Sequence, residues 1–168
     1  MRLKDKVVIV TGGTSGIGAA IASAVVREGG KVLIHGIVES EGKELVSKLG
    51  NYTALCIADL MDPSAPKQIA AECVRVFGKI DALVNCAAIF DRSNIENLKY
   101  EDYLRMMQIN LNAALFNIQA CMAELKKSKG AVLNIGSVNA HAGEANLDRK
   151  STRLNSSHSQ QSRMPSSA

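Results

Sequence analysis

Residues 7–18 read Val-Val-Ile-Val-Thr-Gly-Gly-Thr-Ser-Gly-Ile-Gly, an apolar run that enters a glycine-rich turn and leaves it into an apolar, alanine-rich segment. That order is a strand, a phosphate loop and the start of a helix. The first N–H groups of a helix have no intrahelical partner and carry partial positive charge, so a tight turn that gathers them makes an anion site. Gly12 is expected to permit the turn out of the strand, Gly16 to let a diphosphate approach the backbone, and Gly18 to let the helix lie close on the sheet. The spacing is not Gly-x-Gly-x-x-Gly, and no Gly-Lys-Ser/Thr follows to make a Walker A loop.

The length of 168 residues suits one domain with a sizeable core, and a hydrophobic fraction of 46% is ordinary for a globular chain. No apolar run is long enough to span a bilayer, and the stretch Val7 to Val10 is too short for the apolar part of a signal peptide, so a cytoplasmic location without membrane contact is expected. Cys56, Cys73, Cys86 and Cys121 form no Cys-x-x-Cys pair and read as free thiols, with no metal site expected. The net charge of +4 is concentrated beyond residue 147, where Arg149, Lys150, Arg153 and Arg163 face Asp148 alone. A nearly neutral body gives nucleic acid no footprint, and no nucleic-acid partner is expected.

Downstream of the loop, strands and helices alternate. Ile17, Ile21, Ala22, Ala24 and Val25 mark a helix face closed by Gly29-Gly30, and Lys31 to His35 is a second strand. An acid at that strand's end would bond a ribose 2′-hydroxyl, but Gly36 stands there, and Ile37 stands where an arginine would favour a 2′-phosphate. His35 reads as a packed or solvated side chain, a ribose-facing position being the other option. Glu39 to Leu49 is a charged amphipathic helix, Thr53 to Ala58 a third strand, and Asp59 either a ligand contact at the sheet's carboxyl edge or a turn cap. Pro63 and Pro66 bracket a helix whose buried face is Ile69, Cys73, Val76 and Phe77, ended by Gly78. Asp81 to Ala88 holds the fourth strand and its exit. Glu101 to Lys127 is the longest helical stretch, with Leu104, Met107, Leu111, Leu115, Ile118 and Met122 expected to be core, and enough length for a second face toward a partner subunit. Ala131 to Ile135 is a fifth strand, continuously apolar as in a parallel sheet buried on both faces. The alternation indicates a doubly wound α/β fold.

The spacing Thr-Gly-x-x-x-Gly-x-Gly at Thr11 to Gly18 resembles the cofactor loop of the short-chain dehydrogenases/reductases. Asp59-Leu60, the Asn85-Cys-Ala-Ala exit, Gln108-Ile-Asn-Leu-Asn and Asn134-Ile-Gly-Ser137 follow in that family's order, with Cys86 and Ala88 departing from its Asn-Asn-Ala-Gly. The resemblance covers residues 1–147. It implies a Rossmann-type parallel sheet, incomplete at about five strands in the order 3-2-1-4-5. It implies NAD or NADP as cofactor, held by Gly12, Thr14, Ser15, Gly16, Ile17, Gly18, Asp59, Leu60, Asn85 and Ala87. It also implies a small carbonyl or alcohol substrate, with Ser137 on the substrate oxygen and Asn110 on a relay water, and usually a homo-oligomer. Ser137 is expected to end its strand at the same edge as the glycine loop, so that both reach one cleft.

The resemblance stops where the family places Tyr-x-x-x-Lys. The position thirteen residues after Ser137 is Lys150, and Leu154 stands where the lysine belongs. Residues 148–168 are polar, serine-rich and without periodicity, and are expected to be a disordered, non-native tail. The resemblance implies an oxidoreductase that transfers a hydride between NAD(P) and a carbonyl or secondary alcohol. It is expected to be inactive in this polypeptide for want of the proton donor, with a non-catalytic dinucleotide-binding module as the alternative. Ala131 to Ile135 is expected to become an aggregation-prone sheet edge.

Overall fold

A computed structural model of the protein describes residues 1–90 and 95–137. Five parallel strands, β1 (Val7–Thr11), β2 (Lys31–Gly36), β3 (Thr53–Ile57), β4 (Ala82–Asn85) and β5 (Ala131–Asn134), form one sheet in the order β3-β2-β1-β4-β5. Between them run α1 (Gly16–Arg27), α2 (Glu39–Leu49), α3 (Ala65–Phe77), and α4 (Tyr100–Met107) joined by a π turn (Gln108–Asn112) to α5 (Ala113–Ser128). The expected Rossmann-type sheet and its strand order are present.

Side-chain alternation along β1 builds two cores. Val8 and Val10 pack with Val32, Ile34, Ala22 and Val25 under α1, while Val7 and Ile9 pack with Leu33, Leu83, Ile69 and Cys73 under α3 and α5. Because both faces of the sheet are covered, the central strands are apolar at consecutive positions rather than alternate ones. Asp81 anchors the other end of the sheet. It is buried, accepts the Val7 N–H at 2.8 Å and pairs with Lys79 at 2.9 Å and Lys6 at 3.3 Å. Burial pushes its pKa up, but the two ammoniums and the Val7 N–H outweigh that and hold the carboxyl below the usual range.

Three packing expectations are corrected. Half of the apolar stripe of the long helix lies outside the core: Leu104, Leu115 and Met122 are 46%, 60% and 40% exposed. Met107 and Leu111 are half-buried, Ile118 packs on the core, and the buried line is Met106, Asn110, Ala113, Asn117, Cys121 and Leu125. The π turn carries an extra residue, seen in the Ala113 N–H bonding Gln108 O five residues back, and the sheet side takes small residues and two asparagines, Asn110 bonding the Ile89 peptide and Asn117 the Asn85 side chain. In α3, Val76 is 39% exposed while Phe77 and Val74 pack against the core. In β5, expected to be buried on both faces, all four residues are exposed.

The chain divides into a unit Met1–Ile135 and a unit Gly136–Ala168. Of the second, Gly136 and Ser137 are described. The expected boundary at 147/148, Lys150, Leu154 and the tail lie outside the described residues.

Candidate cofactor site

Thr11 ends β1 fully buried, and its Oγ1 accepts the N–H groups of Cys86 at 3.1 Å and Ala87 at 3.2 Å. That side chain ties the glycine loop to the exit of β4. Gly12 then turns with φ +63°, where a Cβ would stand 2.7 Å from Ala87 Cα, so both the conformation and the close approach demand glycine. Gly16 differs in kind. Its φ is +52° and its Cβ direction opens on empty space, the room a diphosphate would need. Gly18 lets α1 close on the loop itself, since a Cβ would lie 2.7 Å from Gly12 C and 2.9 Å from Gly13 Cα. Its expected role, packing helix on sheet, is thereby refined to packing helix on loop.

No side chain caps the start of α1, because Ser15 stands at its N-cap without a capping bond, and no acid occupies its first turn. Ser15 and Ile17 are exposed and Thr14 half-buried. An uncapped helix start beside an open glycine fits an anionic group such as the diphosphate of a dinucleotide.

The neighbouring segments are bonded to this loop. Gly13 N–H donates to His35 O at 2.7 Å, and Ala58 N–H to Gly36 O at 3.2 Å. His35 is 3% exposed; its Nε2–H donates to Ala58 O at 3.0 Å and its Nδ1 stands 3.4 Å from Gly12 N. Burial lowers its pKa against the opposing pull of the Ala58 carbonyl and Asp59, so the ring is a neutral strut inside the fold. Asp59 accepts the Met61 N–H at 2.9 Å through Oδ1, which makes it a turn cap whatever else it binds. Leu60 is buried, and its carbonyl accepts Gln108 Nε2 at 3.2 Å, linking this turn to the π turn.

At the exit of β4 the asparagines face inward. Asn85 is 3% exposed; its Nδ2 donates to Asn134 Oδ1 at 2.9 Å and Ala114 O at 3.3 Å, and its Oδ1 accepts from Asn117 at 3.1 Å. Both polar ends of the side chain are therefore committed inside the fold, binding β4, β5 and α5 together. Asn110 grips one peptide: its Oδ1 accepts the Ile89 N–H at 2.9 Å and its Nδ2 donates to Ile89 O at 3.0 Å. The structure thus gathers Gly12 to Gly18, Asp59, Leu60, Asn85, Ala87 and Asn110 around the carboxyl ends of β1, β3 and β4. Ser137 belongs to the second unit.

His35, expected to be packed or solvated, is packed; Thr11 and Gln108 stand inside the quoted motifs without a role of their own there, and Asn117 is not singled out in the sequence at all. Their signal was a polar residue ending an apolar strand or breaking a helical stripe. Three of the four thiols are buried and held protonated: burial pushes Cys56 and Cys121 up to about 11 and Cys73 up to about 12. Among the described residues no His, Cys, Asp and Glu converge on a metal position, and no helix is long and apolar enough to cross a membrane.

Residues 6–148 match the model of the short chain dehydrogenase family. The chain belongs to the short-chain dehydrogenase family. The short-chain dehydrogenase/reductase FrzI of Cladobotryum sp. is 37% identical over 84% of this chain and 56% of its own length. A sorbitol dehydrogenase of Cereibacter sphaeroides is 35% identical over 86% and 57%, respectively. Among solved structures, a blue fluorescent protein from a metagenomic library in complex with NADPH superposes with a TM-score of 0.82 at 33% identity, covering 90% of this chain and 65% of that one. This short-chain dehydrogenase chain spans about half the length of the curated relatives it matches. Family membership makes NAD or NADP its cofactor, and the cradle at Gly16 fits that group.

Proposed function

We propose that the chain is the nucleotide-holding part of an oxidoreductase that moves a hydride between NAD(P) and a small carbonyl or secondary alcohol. The observation that carries this is the open side of Gly16 at the uncapped start of α1 in a chain of this family. The nicotinamide, when bound, supplies or accepts the hydride. In this reading the backbone of Gly12, Thr14, Ser15, Gly16, Ile17 and Gly18 holds the diphosphate, and Asp59 and Leu60 border the adenine. Asn85 and Ala87 shape the wall at the exit of β4. Asn85 does so by fixing the backbone, since its side chain is engaged elsewhere. Ser137 would bond the substrate oxygen. Asn110, its side chain committed to Ile89, would offer a relay water its backbone carbonyl in the π turn.

A second reading, dinucleotide binding without turnover, is favoured by Lys150 and Leu154 standing where Tyr and Lys are needed. A missing general acid forfeits about 10²- to 10⁴-fold in rate. We place the protein in the cytoplasm and infer a homo-oligomer, supported by the exposed stripe of Leu104, Leu115 and Met122. Titrating the chain with NADH and following nicotinamide fluorescence tests the shared part of both readings; a folded chain without affinity ends them. Turnover of simple ketones then separates the two.

A further inference from the structure

The identity of the dinucleotide is a separate matter, resting on the nucleotide-site reading above. Strands β1, β2 and β3 lie side by side and parallel, so segments 12–18, 36–42 and 58–64 emerge at one edge of the sheet. The bonds from Gly13 to His35, from Ala58 to Gly36 and from His35 to Ala58 hold these segments together. Between them they carry Glu39, Glu41, Asp59 and Asp62 and not one lysine or arginine. The next base along the chain, Lys43, is paired with Glu39 at 2.7 Å.

Gly36 fills the strand end where an acid for the ribose was expected, and the reason is steric. A Cβ there would fall on the Thr14 side chain, 2.8 Å from its Oγ1. That same Thr14 hydroxyl donates to Glu41 Oε2 at 3.4 Å. The carboxylate missing from β2 therefore arrives from the first turn of α2, at the glycine loop.

We propose that this chain selects NAD(H) against NADP(H), with Glu41 as the residue that sets the choice. The two cofactors differ by a 2′-phosphate that carries close to two negative charges. A carboxylate at this corner accepts a hydrogen bond from a ribose hydroxyl and repels a phosphate in its place. Glu41, Asp59 and Asp62 add to one field here, and the exposed Ile37, where an arginine would neutralise the phosphate, adds no charge against them. The similar metagenomic protein was solved in complex with NADPH, and one experiment decides which of the two cofactors this chain takes.

The purified 168-residue chain is titrated with NADH and with NADPH at low salt and again at about 0.5 M salt, following nicotinamide fluorescence. NADH is expected to bind about tenfold or more tightly than NADPH, with the ratio shrinking as salt screens the carboxylates. Glu41→Gln is expected to bring the ratio within about threefold, and Ile37→Arg to reverse it. Both positions are exposed, and circular dichroism confirms that each variant is folded. NADPH binding as tightly as NADH, or a ratio that Glu41→Gln leaves unchanged, overturns the inference while the nucleotide site stands. A folded chain that binds neither cofactor overturns both.

Discussion

Val7–Thr11 of β1 and Ala131–Asn134 of β5 are both short, apolar strands of the same sheet, yet every residue of the first is buried and every residue of the second exposed. Their composition does not explain this; their neighbours do. β1 lies between β2 and β4, with a packed cluster on each face. Among the described residues β5 has β4 on one side alone. The glycine loop therefore grows out of a strand held on both edges and both faces, and the segment leading to Ser137 follows the strand that is least buried among the described residues. A nucleotide cradle needs fixed backbone geometry, which only the first setting supplies.

The sharpest way to break this contrast is to disturb the loop where it packs on itself. Gly18→Val would drive a branched side chain into the backbone of Gly12 and Gly13, so the cradle must open. NADH affinity is expected to fall more than about 100-fold, a larger effect than any exposed substitution produces, read by the same fluorescence titration. Retained affinity in a folded variant would mean that the loop is softer than β1's setting implies.

One step smaller is Ile9→Ala in β1, which removes a fully buried side chain from the centre of the sheet. The expected cost is about 2–5 kcal/mol in urea unfolding. Leu133→Ala in β5, 53% exposed, is expected to cost under about 0.5 kcal/mol. Equal costs would show that β5 is covered in solution.

Next comes the anchor at the opposite end of β1. Asp81→Asn weakens the ion pairs to Lys6 and Lys79 and the acceptor for Val7 N–H, for about 1–3 kcal/mol. Because the folded-state pKa is lowered, this stabilisation is fully present above the unfolded carboxyl pKa of about 3.9 and disappears as pH falls through the folded value. The wild-type chain should thus lose stability on acidification more steeply than the variant. Parallel acid limbs in the two proteins would show that Asp81 titrates alike folded and unfolded.

How far the fold could be read from the residues follows the same division. Where burial is symmetrical, as in β1 and β2, continuous apolar runs identify the strands, and glycine stops fix the helix ends. The charged helix Glu39–Leu49 has the same bounds in sequence and structure because its amphipathic charge pattern runs up to the stop at Gly50. The long helix misled because hydropathy selects the greasiest face, whereas its sheet-facing side is built from Ala113, Asn117 and Cys121. Small residues permit close approach, Asn110 satisfies the Ile89 peptide, and Asn117 holds the side chain of Asn85. The phase change at the π turn has no hydropathy signature at all. In the site, Gly12, Gly16 and Gly18 were legible because each glycine answers a steric demand of a turn. The inward commitment of Asn85 and Asn110 was not, because an asparagine looks the same in sequence whether it faces a ligand or a peptide.

The smallest effect on stability is also the one that tests the edge itself. Val132 and Leu133, 39% and 53% exposed, give β5 apolar side chains without proline or charge and, among the described residues, a backbone edge that would be a template for pairing with another chain. Leu133→Lys puts a charge on that edge while leaving the β4 register, Leu83 opposite Val132 and Val84 opposite Leu133, free to form. Unfolding free energy should shift by no more than about 0.5 kcal/mol, while concentration-dependent light scattering of the 168-residue chain should drop. An unchanged scattering curve would assign self-association elsewhere, and Leu115→Lys on the exposed helix stripe then distinguishes an edge that pairs from a helix face that packs. The two surfaces fail differently: strand pairing grows into open-ended aggregates, whereas a helix face meeting its own copy closes at a dimer.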